Sequence, residues 1–177
     1  LEKKITIMVQ YPNVAIVYND LSFIDSDDNI ILPSFFRYRK IPYYQNKIVP
    51  VEKYILATAG PICSRSSTMI RKSILQNFKI HNIDPTKKAY SVSDRDIFFQ
   101  ISTQHAVYWI PQALTQYRRH SNNLSGEWLG TSEDLENILK YYYTNKIISK
   151  SLYNKKLSRT YIVSCIFLFA TGNYAEA

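Results

Sequence analysis

Glycine is scarce in this chain, with 4 copies among 177 residues, and neither GxGxxG nor GxxxxGK[ST] occurs. Loops that wrap phosphates with backbone N–H groups need such glycines, so a P-loop nucleotidase is excluded. Cysteine is rarer still: Cys63 and Cys165 are too few and too far apart for a zinc motif or a disulfide framework. Two free thiols in a reducing compartment are the expectation. The longest apolar run, 161–170, is about half of the ~20 residues a membrane span needs. The start, Leu1-Glu2-Lys3-Lys4, lacks a methionine and the apolar stretch of a secretory signal. A cytoplasmic chain is therefore expected, with peripheral membrane association as an option.

What is present is ordinary globular composition, 46% hydrophobic and 20% charged, which is enough to build a core and argues against disorder. The net charge of +8 favours an anionic partner such as a nucleotide diphosphate or a membrane surface. The lysines and arginines are scattered singly and in pairs, so no nucleic-acid face is expected. Leu1, Ile5, Met8 and Val9 recur at helical spacing from the first residue, and a new helix begins near Tyr174-Ala175-Glu176-Ala177. Both ends read as cut, which predicts a fragment of a longer protein.

Tyr11-Pro12-Asn13 closes the first helix, because proline cannot continue one. Residues 14–18 and 21–24 read as two short strands. Asp25-Ser26-Asp27-Asp28-Asn29 then forms a turn, and Ile30-Ile31-Leu32 returns as a hairpin partner. A helix is predicted over 51–59, stopped by Gly60-Pro61, then a strand over 66–70 and a short helix over 71–78. A helix over 94–103 precedes a strand over 106–110, ended by Pro111, and a further extended stretch over 114–118. Thr131-Ser132-Glu133-Asp134 matches a capping box, and Leu135, Ile138, Leu139 and Tyr142 face one way after it. Strands and helices alternate to about residue 125 and helices follow alone. That predicts an α/β domain with a helical appendage.

Ser93-Asp94-Arg95-Asp96 places two carboxylates in the first turn of a helix. Ser93 as N-cap with Asp96 three residues later explains them structurally, since negative charge suits a helix N-terminus. A carboxylate there is equally placed to take a proton as a general base. Asp25-Ser26-Asp27 reads literally as D-x-D and starts like a calcium loop. Ile30 stands at the sixth position, where glycine is needed, and Phe36 at the twelfth, where glutamate is needed, so a solvated turn is favoured. His120, after Tyr117-Arg118-Arg119, is either a surface imidazole or a divalent-metal ligand beside arginines suited to a diphosphate. His81 and His105 read as structural or exposed.

Taken in order, these segments resemble family 2 glycosyltransferases of the GT-A type over residues 1–126. Val14-Ala15-Ile16-Val17-Tyr18-Asn19-Asp20 with Phe23-Ile24-Asp25 resembles a strand pair of that family. Ser66 through Ser73 resembles its acceptor-side segment, and Ser93-Asp94-Arg95-Asp96-Ile97 resembles its Glu-Asp-x-Asp segment. Ile110-Pro111-Gln112-Ala113-Leu114, Tyr117-Arg118-Arg119-His120 and Asn123-Leu124-Ser125 resemble its closing strand and donor-side loop. The fold this implies is a partial GT-A, Rossmann-like mixed sheet over 1–126, with a helical extension over 127–177. Residues 157–177 resemble part of a helical-repeat hairpin.

The resemblance implies transfer of a sugar, with inversion, from a nucleotide-sugar donor to a saccharide or cell-surface glycan, as in polysaccharide biosynthesis. It assigns Asp94 as base, Asp96 as its support, Arg118 to the donor diphosphate and His120 to a divalent metal, Mn or Mg. Two departures stand out. Ser93 replaces the family's glutamate, and its metal-binding D-x-D should lie before Leu1, which leaves this chain the acceptor half of a site, inactive alone. The alternative is a non-catalytic α/β binding module whose helical tail docks a partner.

Overall fold

A computed structural model describes residues 1–57, 62, 64–79, 93–120 and 128–171. Gly60-Pro61, Cys63, His81, the 121–125 segment and the tail 172–177 fall outside these. The chain divides into two compact units, Leu1–Lys79 with Asp94–Ser121, and Ile80–Ser93 with Asn122–Ala177. The first is mixed α/β; the described part of the second is helical.

The first unit is organised on one strand. β1 (Val14–Ile24) is a run of β-branched and aromatic residues, buried at every position except Phe23. It pairs antiparallel with β2 (Ile30–Leu32) and β4 (Thr68–Ile70) and parallel with β5 (Ala106–Arg118), which pairs antiparallel with β3 (Gln45–Lys47). The result is a mixed sheet of five strands among the described residues, in the order β2-β1-β5-β3 with β4 also against β1. Strands buried on both faces read as continuous apolar runs, which is what Val14 to Tyr18 displays. Nothing in this sheet distinguishes a GT-A arrangement from other mixed α/β sheets.

Among the described residues five helices accompany the sheet: α1 (Glu2–Gln10), α2 (Phe35–Arg39), α3 (Val51–Leu56), α4 (Lys72–Leu75) and α5 (Ser93–Ser102). α1 forms where helical spacing placed it, yet of its apolar stripe Met8 alone faces the core. Leu1, Ile5 and Val9 are exposed, while Lys4 and Met8 are buried. The reason is polar. Lys4 Nζ donates to the Ser67 carbonyl at 2.9 Å, and Arg71 donates from Nη2 to Met8 O and from Nε to Val14 O. These bonds fix which side of α1 meets the sheet. Met8 then packs with Val14, Val17 and Ile110. Desolvation holds the Lys4 ammonium below the usual lysine range.

Two predicted breaks are absent. Asn19 and Asp20 continue β1 rather than separating two strands, and Pro111 lies inside β5 rather than ending it. The ladder absorbs both as irregularities: Asn19 faces Ile110, Asp20 faces Ala113, and Leu21 faces Thr115. The extra residues on β5 are Pro111-Gln112 and Leu114. Proline has no N–H to donate, so a bulge is where a sheet accepts it.

In the second unit α6 (Trp128–Thr144) and α7 (Lys150–Thr171) pack on each other. Leu135, Ile138, Leu139 and Tyr142 are buried, as their spacing predicts. The helix starts before Thr131, so the capping-box motif lies within it and not at its start. Tyr143 stacks on Tyr153 at 5.1 Å, and Tyr161 donates its hydroxyl to Glu136 at 2.8 Å. Among the described residues no helix is long and apolar enough to cross a membrane.

Candidate active site

The start of α5 is positioned from both ends of the helix. Phe98, Phe99 and Ile101 anchor it in the core, and the Tyr54 ring meets Phe99 edge-on at 5.4 Å. Tyr54 donates its hydroxyl to Arg95 O at 2.9 Å, and Arg95 Nη2 donates to Ala57 O at 2.9 Å, so α3 holds the first turn. At the other end Val49 N donates to Ser102 O at 2.8 Å. Tyr54→Phe removes one of these ties, and urea unfolding should show a loss of about 1 kcal/mol, the worth of one such bond.

Asp94 and Asp96 both occupy that first turn, but two residues apart on a helix they point in different directions. Asp96 is fully buried. Asp94 stays about a quarter exposed, with Oδ1 accepting from Arg95 N at 2.8 Å and Oδ2 lying 3.6 Å from Arg65 Nε. Burial pushes the Asp94 carboxyl above the usual aspartate range, and the Arg65 guanidinium works against that rise. The Arg65 side chain is mostly exposed, so the pair is screened by water and weak. A partly open carboxylate with raised proton affinity is chemically able to accept a proton from a hydroxyl.

Arg118 closes β5 and lies against the β1–β2 hairpin. Arg118 Nη1 donates to Asp25 O at 2.7 Å and Ser26 O at 3.1 Å, and Nη2 pairs with Asp28. Arg119 N donates to Ile24 O at 2.8 Å, and its guanidinium lies over the Phe23 ring. His120 follows, exposed. The structure thus brings Asp94 with Asp96, and Arg118 with His120, on separate elements.

The Asp25-Ser26-Asp27 turn is a hydrogen-bonded Asx turn. Asp25 Oδ1 accepts from Asp27 N and Asn29 N, both at 2.9 Å, and Oδ2 from Asn29 Nδ2 at 3.1 Å. The Asn29 amide bonds hold the Asp25 carboxyl below its usual range. Asp28 adopts φ 68°, a left-handed conformation that Asp tolerates better than most residues. Among the described residues no group of three or more His, Cys, Asp or Glu side chains could hold a metal ion. His120 offers one ligand where a divalent ion needs several, so the described residues do not by themselves fit a metal.

The residues that sequence reasoning passed over surround Asp20. Its Oδ1 accepts from Leu21 N at 2.6 Å and Phe36 N at 3.0 Å, and its Oδ2 from Ser34 Oγ at 2.5 Å. Asn19 bonds Thr115 Oγ1 across the same irregularity. The available signal was the Asn-Asp pair interrupting an otherwise apolar run. Arg65, the cation facing Asp94, carried no signal. Compared with known proteins, the chain matches no family model, no curated protein and no solved structure.

Proposed function

We propose that this chain carries part of a glycosyltransferase active site, in which Asp94 is the base that deprotonates an acceptor hydroxyl. The observation that carries this reading is the state of Asp94: a partly exposed carboxylate at a pinned helix start, made more basic by burial. In the reaction the acceptor O–H proton passes to the Asp94 carboxylate. The oxygen forms its bond to the donor's anomeric carbon, and the nucleoside diphosphate leaves with the bonding pair. Attack opposite the leaving group inverts the anomeric centre. Asp96, buried beneath the same turn, supports the helix start that holds the base. Arg118, at the end of β5, and His120, just past it, are the candidates for contact with the donor diphosphate.

The test is a sugar-transfer assay on the full-length protein. Nucleotide-sugar donors and oligosaccharide acceptors should give a glycoside product, lost in Asp94→Asn. If the wild-type protein transfers no sugar across such a panel, the reading is wrong. The pH profile offers a finer check. Protonated Asp94 cannot act as base, so activity should fall on the acid side as pH drops through its raised pKa. Arg65 lowers that pKa, so Arg65→Gln should move the acid limb to higher pH. The exposure of Arg65 keeps that shift small.

A further inference from the structure

A cavity of about 630 Å³ opens where Asp20 and Ala113 face each other across the β1–β5 irregularity, on the side covered by α2 and the approach to β3. Its volume is in the range of small-molecule sites. The walls combine two kinds of surface. Phe36, Trp109 and Tyr43 form a ring stack, with Trp109 5.7 Å from Phe36 and 4.5 Å from Tyr43. Tyr43, 60% exposed, turns ring surface to solvent. Arg37 and Lys40 also line the cavity, both exposed and making no ion pair among the described residues. Lys40 sits at φ 50° as the left-handed cap of α2, a backbone conformation unusual outside Gly, Asn and Asp.

We propose that this cavity binds a saccharide bearing an anionic group, a uronate or a sugar phosphate. A sugar ring presents its C–H face to an aromatic ring, and Tyr43 supplies one at the rim. The carboxylate or phosphate meets Arg37 and Lys40, charges that otherwise have no partner there. Asp20, at the floor, already accepts three hydrogen bonds and sets the wall geometry through Ser34 and Phe36. Trp109 keeps its indole N–H buried with no acceptor among the described residues, which native proteins rarely leave unexplained. A ligand hydroxyl entering beside the ring, with a small movement of Tyr43, would satisfy it. The lining contains two prolines and no glycine, which disfavours a backbone cradle for a nucleotide diphosphate. Sugar transfer at Asp94 is not required for this binding, and the two can fail separately.

The experiment is ligand-observed NMR titration of the full chain with glucuronate, glucose and the uncharged nucleoside uridine. Glucuronate should bind, with glucose several-fold weaker. Tyr43→Ala should weaken both sugars roughly tenfold, the loss of one aromatic contact. Arg37→Gln combined with Lys40→Gln should bring glucuronate down to the affinity of glucose. Both variants alter exposed side chains, and circular dichroism checks that they fold. Absence of saccharide binding, equal affinity of the wild type for glucose and glucuronate, tighter binding of uridine, or indifference to Tyr43→Ala would each overturn the proposal.

Discussion

Asp94→Asn is expected to lower kcat for sugar transfer by about 10²- to 10⁴-fold, the usual worth of a positioned general base. The amide matches the carboxylate in size and can keep the bond from Arg95 N, so the helix start should remain folded. The Arg65 ion pair is lost, but at 3.6 Å with Arg65 mostly exposed its contribution to stability is small. Burial also penalises the charged Asp94, so neutralising it removes a cost. Thermal unfolding should therefore leave the variant as stable as the wild type or slightly more so. Turnover within a few-fold of wild type would reduce Asp94 to a helix-start residue. A loss of activity accompanied by a large fall in Tm would show the same thing by another route.

Asp20→Ala should give the largest effect on stability. One carboxylate accepts from Leu21 N, Phe36 N and Ser34 Oγ, and alanine leaves those donors without it in a buried place. Several unsatisfied buried donors cost about 3–5 kcal/mol together. For a unit of roughly this size that lowers Tm by on the order of 10–20 °C. Asp20→Asn should cost far less, because its carbonyl can still serve Leu21 and Phe36 while the Ser34 hydroxyl rotates to accept. A comparison of the two by calorimetry separates lost hydrogen bonding from lost charge. Equal stability of the alanine variant and the wild type would show that the donors find other acceptors.

Much of the fold was readable because local pattern and tertiary demand agreed. The Asp25–Asn29 turn, the helix carrying Asp94, and the buried stripe of α6 follow from turn chemistry and the spacing of apolar residues. The errors came where a single residue type was given too much weight. Asn19-Asp20 looked like the end of a strand, and Pro111 like another. Both are carried inside strands because the β1–β5 register slips there, and a bulge tolerates a residue left out of the ladder. The face of α1 was unreadable for a different reason: Lys4 and Arg71 choose it through carbonyls of residues more than fifty positions away. At the candidate site, the sequence placed Asp94 and Asp96 in one turn. Their unequal burial depends on α3 and on Arg65, which no local pattern reveals.

The parallel pairing of β1 with β5 has a consequence for the newly made chain. Val14 waits for Ala106 and Ile24 for Arg118, partners more than ninety residues later. At ordinary translation speeds of about 5–20 residues per second, that is a delay on the order of 5–20 s. During it β2 and β4 can occupy one side of β1, while its other side stays an open, apolar strand edge. A ribosome-associated chaperone should therefore engage this nascent chain between the emergence of β1 and that of β5. Slowed synthesis across that interval should raise the fraction that aggregates.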